Sequence, residues 1–163
     1  MKIVVYDLDD TLYDTSLIKN RELIRYDQDL NELLTLNHPS YIYSNATQAH
    51  VLDIMERKSF FGLIKKIYAR RKDDIFMKPN ITGFRSVEED ILYSENISLF
   101  DPYEIYFFDD LIENLKTAKS LGWKTIHINK NTTKTDYRGK GWIDYKYSDI
   151  KESLKDLREK KIL

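Results

Sequence analysis

Five short apolar runs punctuate the chain: Ile3–Tyr6, Tyr41–Tyr43, Leu63–Tyr68 (interrupted by Lys65 and Lys66), Ile105–Phe108 and Thr125–Ile128. They lack strict alternation, as expected of strands in a parallel sheet covered on both faces. Between them, apolar residues recur every three or four positions. Residues 17–36 carry Leu23, Tyr26, Leu30, Leu33 and Leu34 in such a stripe, and residues 79–93 carry Ile81, Phe84, Val87 and Ile91, with Pro79 suited to a first helical turn. Residues 111–121 repeat the pattern with Ile112, Leu115, Ala118 and Leu121, and Gly122 follows as a C′ residue. A last helix is predicted from Asp149, with Glu152 three residues on and Ile150, Leu154 and Leu157 on its apolar face. Asn45, with Gln48 three residues later, reads as a further helix start, and the polar stretch Lys130–Gly141 reads as a surface loop. Alternation of this kind predicts a three-layer, doubly wound α/β fold around a five-stranded parallel sheet. The expectation is one domain spanning residues 1–163.

Charge changes this picture little and cysteine narrows it. The 26 Lys and Arg nearly cancel the 27 Asp and Glu, which argues against a dedicated polyanion binder. Cysteine is absent, so disulfides, zinc–thiolate sites and cysteine nucleophiles are excluded. The apolar start Ile3–Tyr6 is too short for a secretory core, and no run approaches the roughly 18 residues of a membrane span. A soluble, cytoplasmic protein with no membrane partner is expected.

In open α/β sheets, ligands sit outside the carboxyl ends of the strands. Asp7, Asp9, Asp10 and Thr11 follow the first run, Ser44 and Asn45 the second, Asp109 and Asp110 the fourth, and Lys78 stands before the helix at 79. Acids, a hydroxyl and a lysine gathered on one edge suit phosphoryl transfer. A carboxylate can be the nucleophile, and a hard cation such as Mg²⁺ lets several carboxylates approach a dianion. A lysine balances charge, while a hydroxyl and helix-start N–H groups take phosphate oxygens.

The segment Asp7-Leu-Asp-Asp-Thr-Leu-Tyr13 resembles the D-x-D-x-T-L signature of the haloacid dehalogenase superfamily. Ser44-Asn45-Ala46, Lys78-Pro79 and Phe108-Asp109-Asp110 resemble its other three motifs, in order. Within the superfamily the likeness is closest to pyrimidine 5′-nucleotidase-type members, through Asp9–Asp14, Ser44–His50, Lys78–Phe84 and Phe107–Asn114. The resemblance implies a Rossmann-like fold and a Mg²⁺-dependent phosphatase. In it Asp7 is nucleophile and metal ligand, and Asp9 is acid–base with its carbonyl on the metal. Ser44, Asn45 and Lys78 hold phosphate, Lys78 also balances charge, and Asp109 binds metal with Asp110 nearby or acting through water. An acid at position 9 favours phosphatase over dehalogenase. Ser44 stands where many members carry threonine and keeps the hydroxyl.

Only 34 residues separate Asp9 from Ser44, and 33 separate Ser44 from Lys78, so no folded cap is expected in either gap. The nucleotidases' helical cap contributes to their substrate choice, so nucleoside specificity does not transfer. An open site suits a phosphorylated small molecule closed over by Tyr13, by residues 12–20 or by a neighbouring subunit of a homo-oligomer. It also suits phosphate on a nucleic-acid end or a phosphoprotein. His38, His50 and His127 show no ligand spacing, and His50 reads as a packed helix histidine. Arg70-Arg71-Lys72, followed by Asp73-Asp74, reads as a solvated loop. Two other classes compete. A phosphoacceptor receiver domain needs its acceptor Asp after the third strand and its Lys after the fifth, an order this chain lacks. A catalytically silent binding protein of the same fold would be expected to have lost Asp7, Asp9 or Lys78.

Overall fold

The first apolar run becomes β1 (Lys2–Tyr6), the second lies in β2 (Ser40–Tyr43) and the fourth in β4 (Glu104–Asp109). The structure, a computed structural model, describes residues 1–70, 72–98, 100–131 and 141–163. Val5 of β1 faces Tyr41 on one side and Phe107 on the other, both pairings parallel. With β3 (Lys66–Tyr68), β5 (Lys124–Ile128) and β6 (Tyr145–Tyr147), the sheet runs β3-β2-β1-β4-β5-β6. All neighbours are parallel, as a doubly wound fold requires.

Among the described residues the sheet therefore has six strands where the hydrophobic pattern predicts five. The extra strand is three residues long and lies at the edge beside β5, with Ile128 opposite Tyr147. Only Tyr147 of the three is fully buried, so Tyr-Lys-Tyr gives no apolar run. The third run is also shorter as a strand than predicted. Leu63 and Ile64 instead form a turn, their amides donating to the Phe60 carbonyl oxygen.

Among the described residues, five α-helices cover the sheet. α1 (Gln28–Leu34), α2 (Gln48–Lys58) and α5 (Ile150–Glu159) pack on one face, against Val4, Tyr6, Ile42, Phe108 and Ile126. α3 (Ile81–Ser94) and α4 (Ile112–Ser120) cover the other, against Ile3, Val5, Tyr41, Tyr43 and Phe107. Alternate residues of β1 thus feed two cores, which is why the run is continuously apolar. Burying each such side chain contributes roughly 1.5–3 kcal/mol. Phe84 anchors the second core, edge-on to Tyr43, Phe107 and Trp123 at centroid distances of 5.2, 5.5 and 5.3 Å. Beside it Gly83 allows close approach, since a Cβ there would collide with the Tyr43 hydroxyl and the Phe76 carbonyl. No helix of the described residues is long and apolar enough to cross a membrane.

Three predicted boundaries are corrected. The stripe over 17–36 is not one helix: Thr15–Leu23 forms kinked 3₁₀ turns, and α1 starts afresh behind Asp27, whose side chain caps Leu30 N–H. Leu23 and Tyr26 consequently point outward, 52% and 54% exposed, while Ile24 is buried. α2 is capped by Thr47, which accepts from His50 N–H, and not by Asn45. Pro79 lies before α3, whose cap is Asn80. The predicted helices over 111–121 and from Asp149 lie where expected, Gly122 having φ +85° and Asp149 accepting from Glu152 N–H. Of the predicted loop Lys130–Gly141, residues 132–140 fall outside the described residues.

Candidate active site

The carboxyl edge of the central strands gathers the acids. Asp7 directly follows β1 and its N–H donates to Phe108 O at 2.8 Å, extending the ladder one step. Asp109 ends β4 and is fully buried. Lys78 reaches between them, 6% exposed, its Nζ donating to Asp7 Oδ1 at 2.6 Å and Asp109 Oδ2 at 2.7 Å. The ammonium also lies 5.4 Å from the Tyr43 ring centre and 5.3 Å from that of Phe107. Burial works against this charge, but the Asp109 and Asp7 carboxylates outweigh it and hold the lysine above its ordinary pKa.

Burial pushes the Asp7 carboxyl up to about 7 against the pull of Lys78, with the Asp109 charge adding to the rise. Half-buried Asp110 is pushed up to about 6, by burial first and then by Asp109. Carboxylate oxygens of Asp7, Asp109 and Asp110 all lie within 4.8 Å of one another. Such an oxygen-only set crowds negative charge beyond what one lysine neutralises, which fits a hard divalent cation. The Asp9 side chain is not in that cluster.

Asp9 is held elsewhere. Its Oδ1 accepts the Tyr13 hydroxyl at 2.6 Å and lies 3.1 Å from His50 Nε2, while the hydroxyl and Nε2 are 3.0 Å apart. Burial and the Asp9 carboxylate raise the Tyr13 phenol above its ordinary range, so it remains a protonated donor. Thr11 donates to Asp7 Oδ2 at 3.3 Å. Asp10 has φ 57° and binds the N–H and hydroxyl of Thr15 at 3.0 and 2.7 Å, fixing where the chain leaves the site.

Ser44 lies beyond β2, 2% exposed, with its Oγ accepting from Ala46 N–H at 3.1 Å and its own hydrogen left to donate. Asn45 lines the same cavity as Ser44 and Lys78, and its side chain also holds the lysine. Its Oδ1 accepts from Lys78 N–H at 2.9 Å and its Nδ2 donates to Lys78 O at 2.8 Å, so the side chain clamps the lysine's backbone. Asp7, Asp9, Asp10, Ser44, Asn45, Lys78 and Asp110 line one cavity, and exposed Arg70 lines it too. Arg71 lies outside the described residues.

Two further residues support the acids. Asn114 Nδ2 donates to both Asp109 oxygens at 3.0 and 2.9 Å, and Leu111 N–H adds a bond of 2.7 Å. A buried Asn one turn into a helix, five residues after an expected ligand, is a signal the sequence carried. His127 Nε2 donates to Asp110 O at 2.9 Å, and burial keeps its pKa low, so it serves as a neutral donor.

No protein-family model matches the sequence, nor does any curated protein. Solved structures do. An L-2-haloacid dehalogenase from Xanthobacter autotrophicus with chloropropionic acid covalently bound superposes with TM-score 0.67 at 13% identity, covering 97% of this chain and 98% of that one. A D,D-heptose 1,7-bisphosphate phosphatase from B. bronchiseptica, complexed with magnesium and phosphate, gives 0.65 at 15% identity, covering 98% and 99%. The chain has the haloacid-dehalogenase-like α/β fold that these proteins share.

Proposed function

We propose that this chain is a Mg²⁺-dependent phosphomonoesterase, a single uncapped domain acting through an aspartyl-phosphate on Asp7. The observation that carries the reading is Lys78 buried between Asp7 and Asp109, 2.6 and 2.7 Å away, in one cavity with Ser44 at the sheet's carboxyl edge. An Asp7 oxygen attacks phosphorus as the ester P–O bond breaks, and Asp9 gives its proton to the leaving oxygen. Asp9 then takes a proton from water, which attacks phosphorus and releases phosphate and the Asp7 carboxylate. Ser44 and Lys78 balance the phosphoryl oxygens, with Asn45 acting through Lys78. Asp7, Asp109 and Asp110 with the Asp9 carbonyl would hold Mg²⁺, which draws charge from the phosphate oxygens when bound.

The substrate we favour is a nucleotide or similar small phosphate. Arg70, exposed on the cavity wall, supports a second reading in which phosphate on a nucleic-acid end or phosphoprotein is the target. A panel of 5′-nucleotides, phosphorylated oligonucleotides, sugar phosphates and a phosphotyrosine peptide, assayed with Mg²⁺, tests both. Asp7→Asn keeps the side chain's shape and is expected to fold but to lose at least about a thousandfold in turnover, roughly 4 kcal/mol of barrier. Turnover at the wild-type rate in that variant, or in EDTA, would refute the mechanism.

A further inference from the structure

Asp9 Oδ1, the Tyr13 hydroxyl and His50 Nε2 form a closed triangle with sides of 2.6, 3.0 and 3.1 Å. The three residues come from two places, the loop after β1 and the first turn of α2. That loop is tight: Leu12 N–H donates to Leu8 O at 2.9 Å, and Asp9 and Tyr13 pair as an isolated bridge. Tyr13 is only 6% exposed, so packing fixes its ring and the hydroxyl has little freedom. A phenol carries one hydrogen, and at 2.6 Å it goes to the carboxyl oxygen. The imidazole N–H then bridges the same oxygen and the phenol oxygen. Two donors on Oδ1 leave Oδ2 as the place for a transferable proton.

Asp9 lines the cavity that contains Asp7, Ser44 and Lys78, whereas Tyr13 and His50 do not line it. They contact the acid from outside that cavity. We infer that Tyr13 and His50 are positioning residues for Asp9, and that they suit the site to esters with basic leaving groups, such as alkyl or sugar phosphates. This inference rests on the reading of Asp9 as the acid–base group. A basic alkoxide must gain its proton as the P–O bond breaks, so an oriented acid matters to that step. An acidic phenol leaves without one. General acid catalysis supplies about 10²–10⁴-fold, and a misaimed carboxyl loses part of that.

The test is the single-turnover rate of leaving-group release, with Mg²⁺, for an alkyl phosphate and for p-nitrophenyl phosphate. Tyr13→Phe and His50→Leu are expected to slow release of the alcohol about tenfold or more and release of nitrophenol less than about threefold. His50→Gln, which keeps a donor near the position of Nε2, is expected to recover most of the rate. The Tyr13→Phe, His50→Leu double variant should lose much less than the product of the singles, because both groups serve one oxygen. Equal losses on the two esters, or none, would overturn the inference while leaving the phosphatase reading intact. A wild-type protein inert toward every phosphate ester would overturn both. If Tyr13→Phe does not fold, ¹⁵N NMR of His50 in the otherwise native chain decides. Its Nε2 signal should shift in Asp9→Ala, and an unchanged signal would overturn the inference.

Discussion

Lys78 Nζ stands 2.7 Å from Asp109 Oδ2, and the lysine side chain is 2% exposed against 0% for its partner. A charge so deeply buried is tolerable only because Asp7 and Asp109 both face it. The converse also holds: without the ammonium, two buried carboxylates confront each other. Lys78→Met should therefore destabilise the protein by about 3–5 kcal/mol, the usual penalty for breaking a buried ion pair from one side. Adding Asp109→Asn should return part of that loss by removing one of the two charges. Urea denaturation measures both, and a Lys78→Met protein as stable as wild type would contradict the arrangement.

The same crowding predicts an unusual pH profile. In the cation-free protein Asp7 titrates at about 7 and Asp110 at about 6, burial being the main cause of each. In the unfolded chain both titrate near 3.8. Between these values the folded state holds more protons, so the contribution to stability is full below about pH 4 and is lost as pH rises to 7. Asp14, lowered to about 2 chiefly by Lys130, works in the opposite direction in stronger acid. His38 and His127, both lowered by burial, oppose the two acids below their ordinary 6.5, so the fall is steepest above it. In EDTA the urea midpoint should fall between pH 4.5 and 7.5. Mg²⁺, which needs ionised carboxylates, should raise it more at pH 7.5 than at 4.5. A pH-independent Mg²⁺ effect would separate the cation from these acids.

Asn45 separates two ways of acting on phosphate. Its paired bonds to the Lys78 backbone, 2.9 and 2.8 Å, make it a clamp. Asn45→Ala should cost about 1–3 kcal/mol of stability and should lower kcat more than it raises KM, since the lysine is misplaced. Ser44→Ala, which removes a hydroxyl facing the cavity, should chiefly raise KM. If Asn45→Ala raises KM as Ser44→Ala does and leaves stability untouched, the side chain meets phosphate directly.

These residues also show what the sequence could reveal. Asp7 and Ser44 stand just beyond a strongly patterned element, Lys78 just before one, and Asp109 is the last residue of another, so the elements mark the residues. The helix stripe at 17–36 misled because Leu23 and Tyr26 fit its period yet face solvent, while Asp27 offers the backbone a cap that restarts the helix. β6 was illegible because three edge residues carry no period, and only the register beside β5 defines it. Asn45, Asn114 and His50 owe their positions to contacts 33, 5 and 41 residues away in the chain. Of these only the five-residue spacing repeats a local rule.

Arg70 bears on substrate choice. Its N–H donates to Ala46 O at 2.8 Å, which ties the end of β3 to the Ser44–Ala46 loop, and its exposed side chain lines the cavity. The cavity is otherwise rich in carboxylates, so a substrate carrying a second anionic group gains most from a guanidinium at the rim. Arg70→Ala should raise KM for a 5′-phosphorylated oligonucleotide about tenfold, roughly 1.4 kcal/mol of binding. KM for p-nitrophenyl phosphate, which has one phosphate and no second anion, should change less than about threefold. Raising ionic strength should erase much of the difference between wild type and variant, because a rim charge is screened. If Arg70→Ala leaves both KM values unchanged and a mononucleotide outcompetes the oligonucleotide, the rim does not read extended substrates. A compact nucleotidase, closed over its substrate by residues 12–20 or by a second subunit, would then account for the site better.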